Sequence, residues 1–302
     1  GSEMCIRDRV TPKRGEANKR IIRATLEYGV SPSTRTPKFL GAYDYANLYN
    51  EARGNDGLPD LYLPYQLEGY RNSTGANDLL YPDIDWYDRF TKNMSNYRKA
   101  ILEYNGGTRV VRYALTAGYT GGSGLENAGK RSDLNRLNVR GNLDIRITDF
   151  LTVTADVAAR LEIKNWGGMD GAGIYSALST NKPNEYPLTI DPQAIGMAPN
   201  EDGTPYYGAS IRKPDNLYVG MAYGGETSER YINSQTNFGI KLDLNKYVEG
   251  LFADAYVTFD NYNYLRTKLS KTSATYAVDG YLDENGEQAM RVTQVKKVDQ
   301  ND

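Results

Sequence analysis

Residues 151–163 read LTVTADVAARLEI, and apolar and polar side chains alternate along the whole run. Leu151, Val153, Ala155, Val157, Ala159, Leu161 and Ile163 take one parity. Thr152, Thr154, Asp156, Arg160 and Glu162 take the other, interrupted only by Ala158. Successive side chains of a strand point to opposite faces, so the pattern predicts one strand with a greasy face and a wet one. Ordinary strands run about five to six residues, and this one runs about twice as far.

The same alternation recurs. It appears in RIIRATLEYGV (20–30), VVRYALTAGYT (110–120), LNVRGNLDIRI (137–147), FGIKLDL (238–244) and LFADAYVTFD (251–260), with a less regular strand at 97–104. Seven strands are expected, with an eighth candidate in KLSKTSATYAV (268–278). Three connections are short: NGGT at 105–108, TDF at 148–150 and NKYVEG at 245–250. Three are longer, at 31–96, 120–135 and 164–233. Asn-Gly-Gly marks a tight hairpin. Short and long connections alternate, as in an up-and-down barrel with turns on one side of a bilayer and loops on the other. A sandwich would show irregular Greek-key connections instead. Within the long loops, YDYANLYNEA (43–52) carries Tyr45, Leu48, Tyr49 and Ala52 at helical spacing. GIYSALSTNKPNEYP (173–187) predicts a second short helix, stopped by Pro183.

The fold class expected is therefore all-β, a partial antiparallel transmembrane β-barrel with short helices in long extracellular loops. A tilted strand needs about nine to eleven residues to cross the apolar band, which accounts for the length of 151–163. Periodicity alone fits equally a soluble sandwich with the apolar row in its core, so a surface sugar-binding module is the alternative.

Composition narrows the chemistry. The 302 residues hold 36 Lys+Arg against 38 Asp+Glu, with no basic run, so no nucleic-acid partner is expected. No stretch approaches the roughly 18 apolar residues of a membrane helix. The chain has no His and a single Cys, Cys5, which excludes an internal disulfide, His-based triads and His- or Cys-built metal sites. Asp83, Asp85 and Asp88 in DIDWYD could serve as a carboxylate pair or hold Ca²⁺, but they lack the glycine of an EF-hand loop. GGTRV and GYTGGSG match no phosphate loop. No enzyme activity and no cofactor is expected. Residues 1–9, GSEMCIRDR, read as a translated sequencing adapter, and the chain is expected to be a fragment.

Further motifs carry a family resemblance. VTPKRG (10–15), YANLYNEARGNDG (45–57), LYPDIDWYD (80–88), NGGTRVVRYALTAGY (105–119), RLNVRGNLDIRITDFLTV (136–153), ALSTNKPNEYP (177–187) and VEGLFADAYVTFDNYN (248–263) occur in the order seen in SusC/RagA-type TonB-dependent outer-membrane transporters of Bacteroidetes. The resemblance implies that 10–15 ends a plug domain and that 16–302 forms the first third of a barrel of about 22 strands. It implies import of an oligosaccharide or peptide across the bacterial outer membrane. The implied partners are a SusD-like lipoprotein, the TonB complex (through a region missing here) and outer-membrane lipid. The loop aromatics Trp86, Tyr87, Trp166, Tyr206 and Tyr207 are candidates to contact that ligand. Arg140, Asp144, Arg146, Asp156 and Arg160 would face the lumen.

Overall fold

The computed structural model describes residues 14–200 and 203–298. The adapter-like stretch 1–9, with Cys5, and positions 10–13 of VTPKRG lie outside the described residues.

The chain opens with β1 (Arg20–Pro32) and then a long excursion carrying α1 (Ala42–Asn55), α2 (Pro64–Arg71) and α3 (Trp86–Phe90). A meander follows: β2 (Met94–Gly107), β3 (Val111–Ser123), β4 (Asp133–Arg146) and β5 (Leu151–Gly167). The second excursion holds α4 (Gly171–Thr180), the two-residue strands β6 (Thr189–Ile190) and β7 (Tyr206–Tyr207), and α5 (Leu217–Ala222). β8 (Gly225–Asp243) and β9 (Phe252–Ser270) return to the sheet, and β10 (Thr275–Leu282) and β11 (Gln288–Lys296) form a separate hairpin. The main sheet has seven antiparallel strands in the order β1-β2-β3-β4-β5-β8-β9. These are the seven strands that the alternation predicts. The eighth candidate is corrected: 268–278 divides between the end of β9 and the start of β10, which pairs with β11 outside the main sheet.

Register is what turns seven amphipathic strands into one amphipathic wall. Residues directly opposite one another share a face. Leu26 pairs with Ala100, Ala100 with Tyr119, Tyr119 with Leu137, Leu137 with Leu161 and Leu161 with Ile232. Lower down, Val111 meets Ile145, Ile145 meets Val153, and Val153 meets Ile240. A slip of one residue in any pair would turn that strand's apolar row to the polar face. Among the described residues no second layer covers the apolar face: Leu26 is 83% exposed, and Ile22, Val157, Phe238 and Phe259 are also exposed.

The packed core lies elsewhere. Ile84, Trp86, Phe90, Ile174, Leu178, Tyr186, Leu188, Leu217 and Met221 form it, and all of them belong to the long connections. Those connections emerge on one side of the sheet, and the turns 108–110, 147–150 and 244–251 close the other. The first turn is shifted from the expected NGGT. Gly106 and Gly107 remain in β2 opposite Tyr113 and Arg112, and the turn is closed by the Thr108 N–H donating to Val111 O at 2.6 Å. A Cβ on Gly107 would meet Val111 O at 2.5 Å, so that glycine serves close strand approach rather than the turn itself.

Candidate functional site

On the loop side, α3 and α4 anchor a compact platform. Asp85 caps α3 by accepting from the Asp88 N–H at 3.0 Å, and Asp170 caps α4 through the Gly173 N–H at 2.8 Å. Trp86 stacks on Phe90 with centroids 5.9 Å apart and meets Tyr186 edge-on at 5.4 Å, while its indole N–H donates to Lys182 O at 2.9 Å. Backbone bonds join the first and second excursions: Ile84 N–H to Pro183 O at 3.0 Å and Leu188 N–H to Ala76 O at 2.8 Å. The 124–132 connection is tied in where the Asn127 N–H reaches Phe90 O at 2.9 Å. Asn216, 2% exposed, donates to Leu188 O and Gly208 O and caps α5 through the Val219 N–H. Burial pushes the Tyr186 hydroxyl well above the usual tyrosine range. Burial also lowers the Lys213 ammonium below the usual lysine value, while its Nζ donates to Thr180 O and Asn181 Oδ1.

Two cavities sit where this platform meets the upper ends of β8 and β9. One, of about 900 Å³, is lined by Tyr206, Tyr207, Tyr223 and Tyr276 with Lys130, Glu226 and Lys271. The other, of about 640 Å³, lies between α4, α5 and the β10–β11 hairpin and is bordered by Lys213, Asp215 and Lys296.

The five candidate aromatics do not converge. Trp86 is 4% exposed in the platform core, which takes it out of reach of a ligand. Tyr87 is packed between Phe39, stacked at 5.6 Å, and Tyr175, and its hydroxyl is 3.0 Å from Ser179 Oγ. Trp166 is not in a loop: it is the penultimate residue of β5, opposite Thr227. Only Tyr206 and Tyr207 share a cavity. Nor do the acidic residues of DIDWYD form a site. Asp83 accepts the Ala42 N–H at the start of α1, Asp85 is a helix cap, and no group of three metal-ligating side chains occurs among the described residues.

The polar face of the sheet is more ordered. Arg140, Asp144, Arg146, Asp156 and Arg160 all lie on it, opposite Ala158, Thr154, Thr152, Asn142 and Asn138. Arg14, just before β1, reaches across this face. Its Nη1 lies 2.8 Å from Asp144 Oδ1 and 2.7 Å from Asp156 Oδ1, and its Nη2 donates to Asp156 Oδ2 at 2.8 Å. Beside Arg14, a Cβ on Gly15 would fall 2.3 Å from the carbonyl oxygens of Gly106 and Tyr113, so only glycine lets the segment lie this close to the wall. Higher up, Glu162 is buried among Arg136 at 2.7 Å, Lys164 at 3.1 Å and Arg160. Tyr231 and Tyr264 lie with ring centroids 4.7 Å apart, tilted by 33°, and both donate to Glu229. This tyrosine pair escapes a reading of the sequence because 226–237 is polar at nearly every position and hides its own alternation.

The molecule is thus a stretch of antiparallel barrel wall, apolar on one face and charged on the other, with an elaborate cap on one side. No family model and no curated protein matches the sequence. Solved structures do. The chain superposes on a structure of the RagAB peptide transporter with a TM-score of 0.57 at 15% identity, over 85% of this chain and 29% of that one. Structures of the RagAB peptide importer in its closed-closed and open-open states each give a TM-score of 0.55 at 14% identity, with the same coverage. The SusC/RagA-type resemblance seen in the motifs therefore holds in three dimensions as a likeness of fold. The chain spans less than a third of the length of the structures it matches.

Proposed function

We propose that this chain is the plug-proximal part of the barrel of a TonB-dependent importer in the bacterial outer membrane. In this reading 10–15 closes a plug and 16–302 begins the barrel. One observation carries it: among the described residues the apolar face of the sheet is left uncovered, while the clustered hydrophobic core sits in the long connections. A soluble sandwich would spend that face on its own interior. Lipid is the solvent that accepts it, and the row 151–163 rises about 30 Å at a strand tilt of about 40°, enough for a band about 25 Å tall. The opposite face then lines a lumen, where Arg140, Asp144, Arg146, Asp156 and Arg160 stay hydrated.

Import in this reading is binding and gating, with no bond made or broken. Cargo, an oligosaccharide or a peptide, is captured on the loop side, where Tyr206 and Tyr207 offer rings in the larger cavity. A SusD-like lipoprotein covers that side, and TonB acts through the plug from the other. The likeness to RagAB structures supports the peptide as one cargo class and a lipoprotein as the kind of partner. The test uses the full reading frame in its native host. Outer-membrane fractionation, heat-modifiable mobility on gels and loss of peptide or glycan uptake on deletion of the gene are expected. Recovery in the soluble fraction would refute the reading. Deletion of 168–224 with uptake and binding unchanged would refute the loop-side capture site.

A further inference from the structure

Several charges on the polar face are paired. Arg23 pairs with Glu103 at 3.0 Å, Lys99 with Glu27 at 3.1 Å, Arg266 approaches Glu229, and Arg14 satisfies Asp144 and Asp156. One region concentrates cations. Above Asp156, β4 and β5 place Arg136, Arg160 and Lys164 around a single carboxylate, Glu162, and set Arg140 on the same face between Asp156 and Arg160. Arg136 and Lys164 flank Glu162 directly. Arg140 sits one step down the face, diagonal to Arg160, since Asn138 is opposite Arg160 and Ala158 is opposite Arg140. Like charges at such positions oppose each other unless an anion lies between them.

The surroundings favour an anion. A hollow of about 480 Å³ opens on this face, floored by Gly118 and Ala158, whose small side chains leave the backbone bare. Asn138, Asn233 and Gln235 stand at its rim. Their side chains, and that of Arg140, have no hydrogen-bond or ion-pair partner among the described residues. Amide N–H₂ groups and a planar guanidinium lining one hollow are the donor types that take a carboxylate or phosphate in paired hydrogen bonds.

We infer that the inner wall carries an oxyanion-binding site at Arg140 and Arg160, completed by Asn138, Asn233 and Gln235, which engages a carboxylate- or phosphate-bearing solute on its way through the lumen. The inference rests on the polar face lining a lumen, and it adds a charge class to the cargo.

Arginine-selective modification by phenylglyoxal tests it in outer-membrane vesicles holding the full-length protein, with peptide mapping by mass spectrometry to follow Arg140 and Arg160. Inorganic phosphate or acetate is added against chloride at equal ionic strength, and the exposed loop residue Arg35 serves as the reference. Occupancy at a few times the dissociation constant should slow Arg140 modification about threefold or more, and leave Arg35 unchanged. Arg160→Gln should abolish most of that protection. The stronger of the two anions assigns the preferred group. If Arg140 reacts as fast in phosphate and acetate as in chloride, the site is refuted while the lumen stands. If neither arginine reacts in intact vesicles while Arg35 does, the lumen itself is refuted, and the site with it.

Discussion

Among single residues, Arg14 does the most for its size. It ties a segment outside the sheet to two carboxylates on adjacent strands, and each of the three side chains is a quarter exposed or less. Hydrogen bonds to charged groups are worth about 1.5–3 kcal/mol, so Arg14→Gln should lower the stability of the full-length protein by about 1–3 kcal/mol in denaturant titration. Arg14→Gln combined with Asp144→Asn should regain part of the loss, because one stranded carboxylate is then gone. Asp78 makes a different prediction. Burial works against its ionisation, but the Thr74, Tyr81 and Leu80 N–H groups and the Thr74 hydroxyl outweigh burial and lower its pKa. A depressed carboxylate contributes stability above its unfolded value, about 3.9, and loses it as pH falls through the folded value. Amide exchange across 74–81 should therefore stay slow at neutral pH and accelerate only below about pH 4. None of these partners is legible in the sequence. Arg14 lies 130 residues from Asp144, and no local pattern couples them.

Strands and loop helices differ in how much of them the chain spells out. β1, β3, β4, β5 and β9 announce themselves through period-two alternation, because half their side chains meet one solvent and half another. The alternation underestimates β8, which begins at Gly225 instead of near Phe238. Its first half is polar on both faces, so no contrast marks the strand. The spacing predicts α1 but not its buried face: Ala42, Ala46 and Asn50 are buried while Leu48 is half exposed. Ala42 and Ala46 are small enough for close approach, and the Asn50 amide is held inside by accepting from the Leu61 and Tyr62 N–H groups and donating to Tyr62 O. Trp86 shows the same limit. As a loop tryptophan it reads as a ligand contact, yet it is the centre of the platform. Trp86→Ala should cost about 3–5 kcal/mol of platform stability. Limited proteolysis should then cut the 33–93 and 168–224 connections far faster, while the sheet strands remain resistant. Unchanged cleavage would show that the platform holds without its core.

At the scale of the molecule, the two faces should respond oppositely to charge. Val157 lies midway up the apolar face, opposite Gly141 and Thr236. Val157→Arg should cost about 2–4 kcal/mol of folding into bilayers, read as lost heat-modifiable mobility of the full-length protein, while Ala158→Arg one position on should be far milder. Equal effects would deny that lipid touches one face and water the other. The sequence by itself determined that there are seven strands, which side chains share a face where the alternation is regular, and that short turns alternate with long loops. Those follow from local geometry, because the period of a strand is fixed by its backbone. Only the tertiary structure decided that the seven apolar rows fall into register on one uncovered face, that the core belongs to the loops, and that three cations gather around one carboxylate. Each of these depends on which residues meet across strands and excursions far apart in the chain. That meeting is settled by the summed packing and hydrogen bonding of the whole, not by any stretch of it.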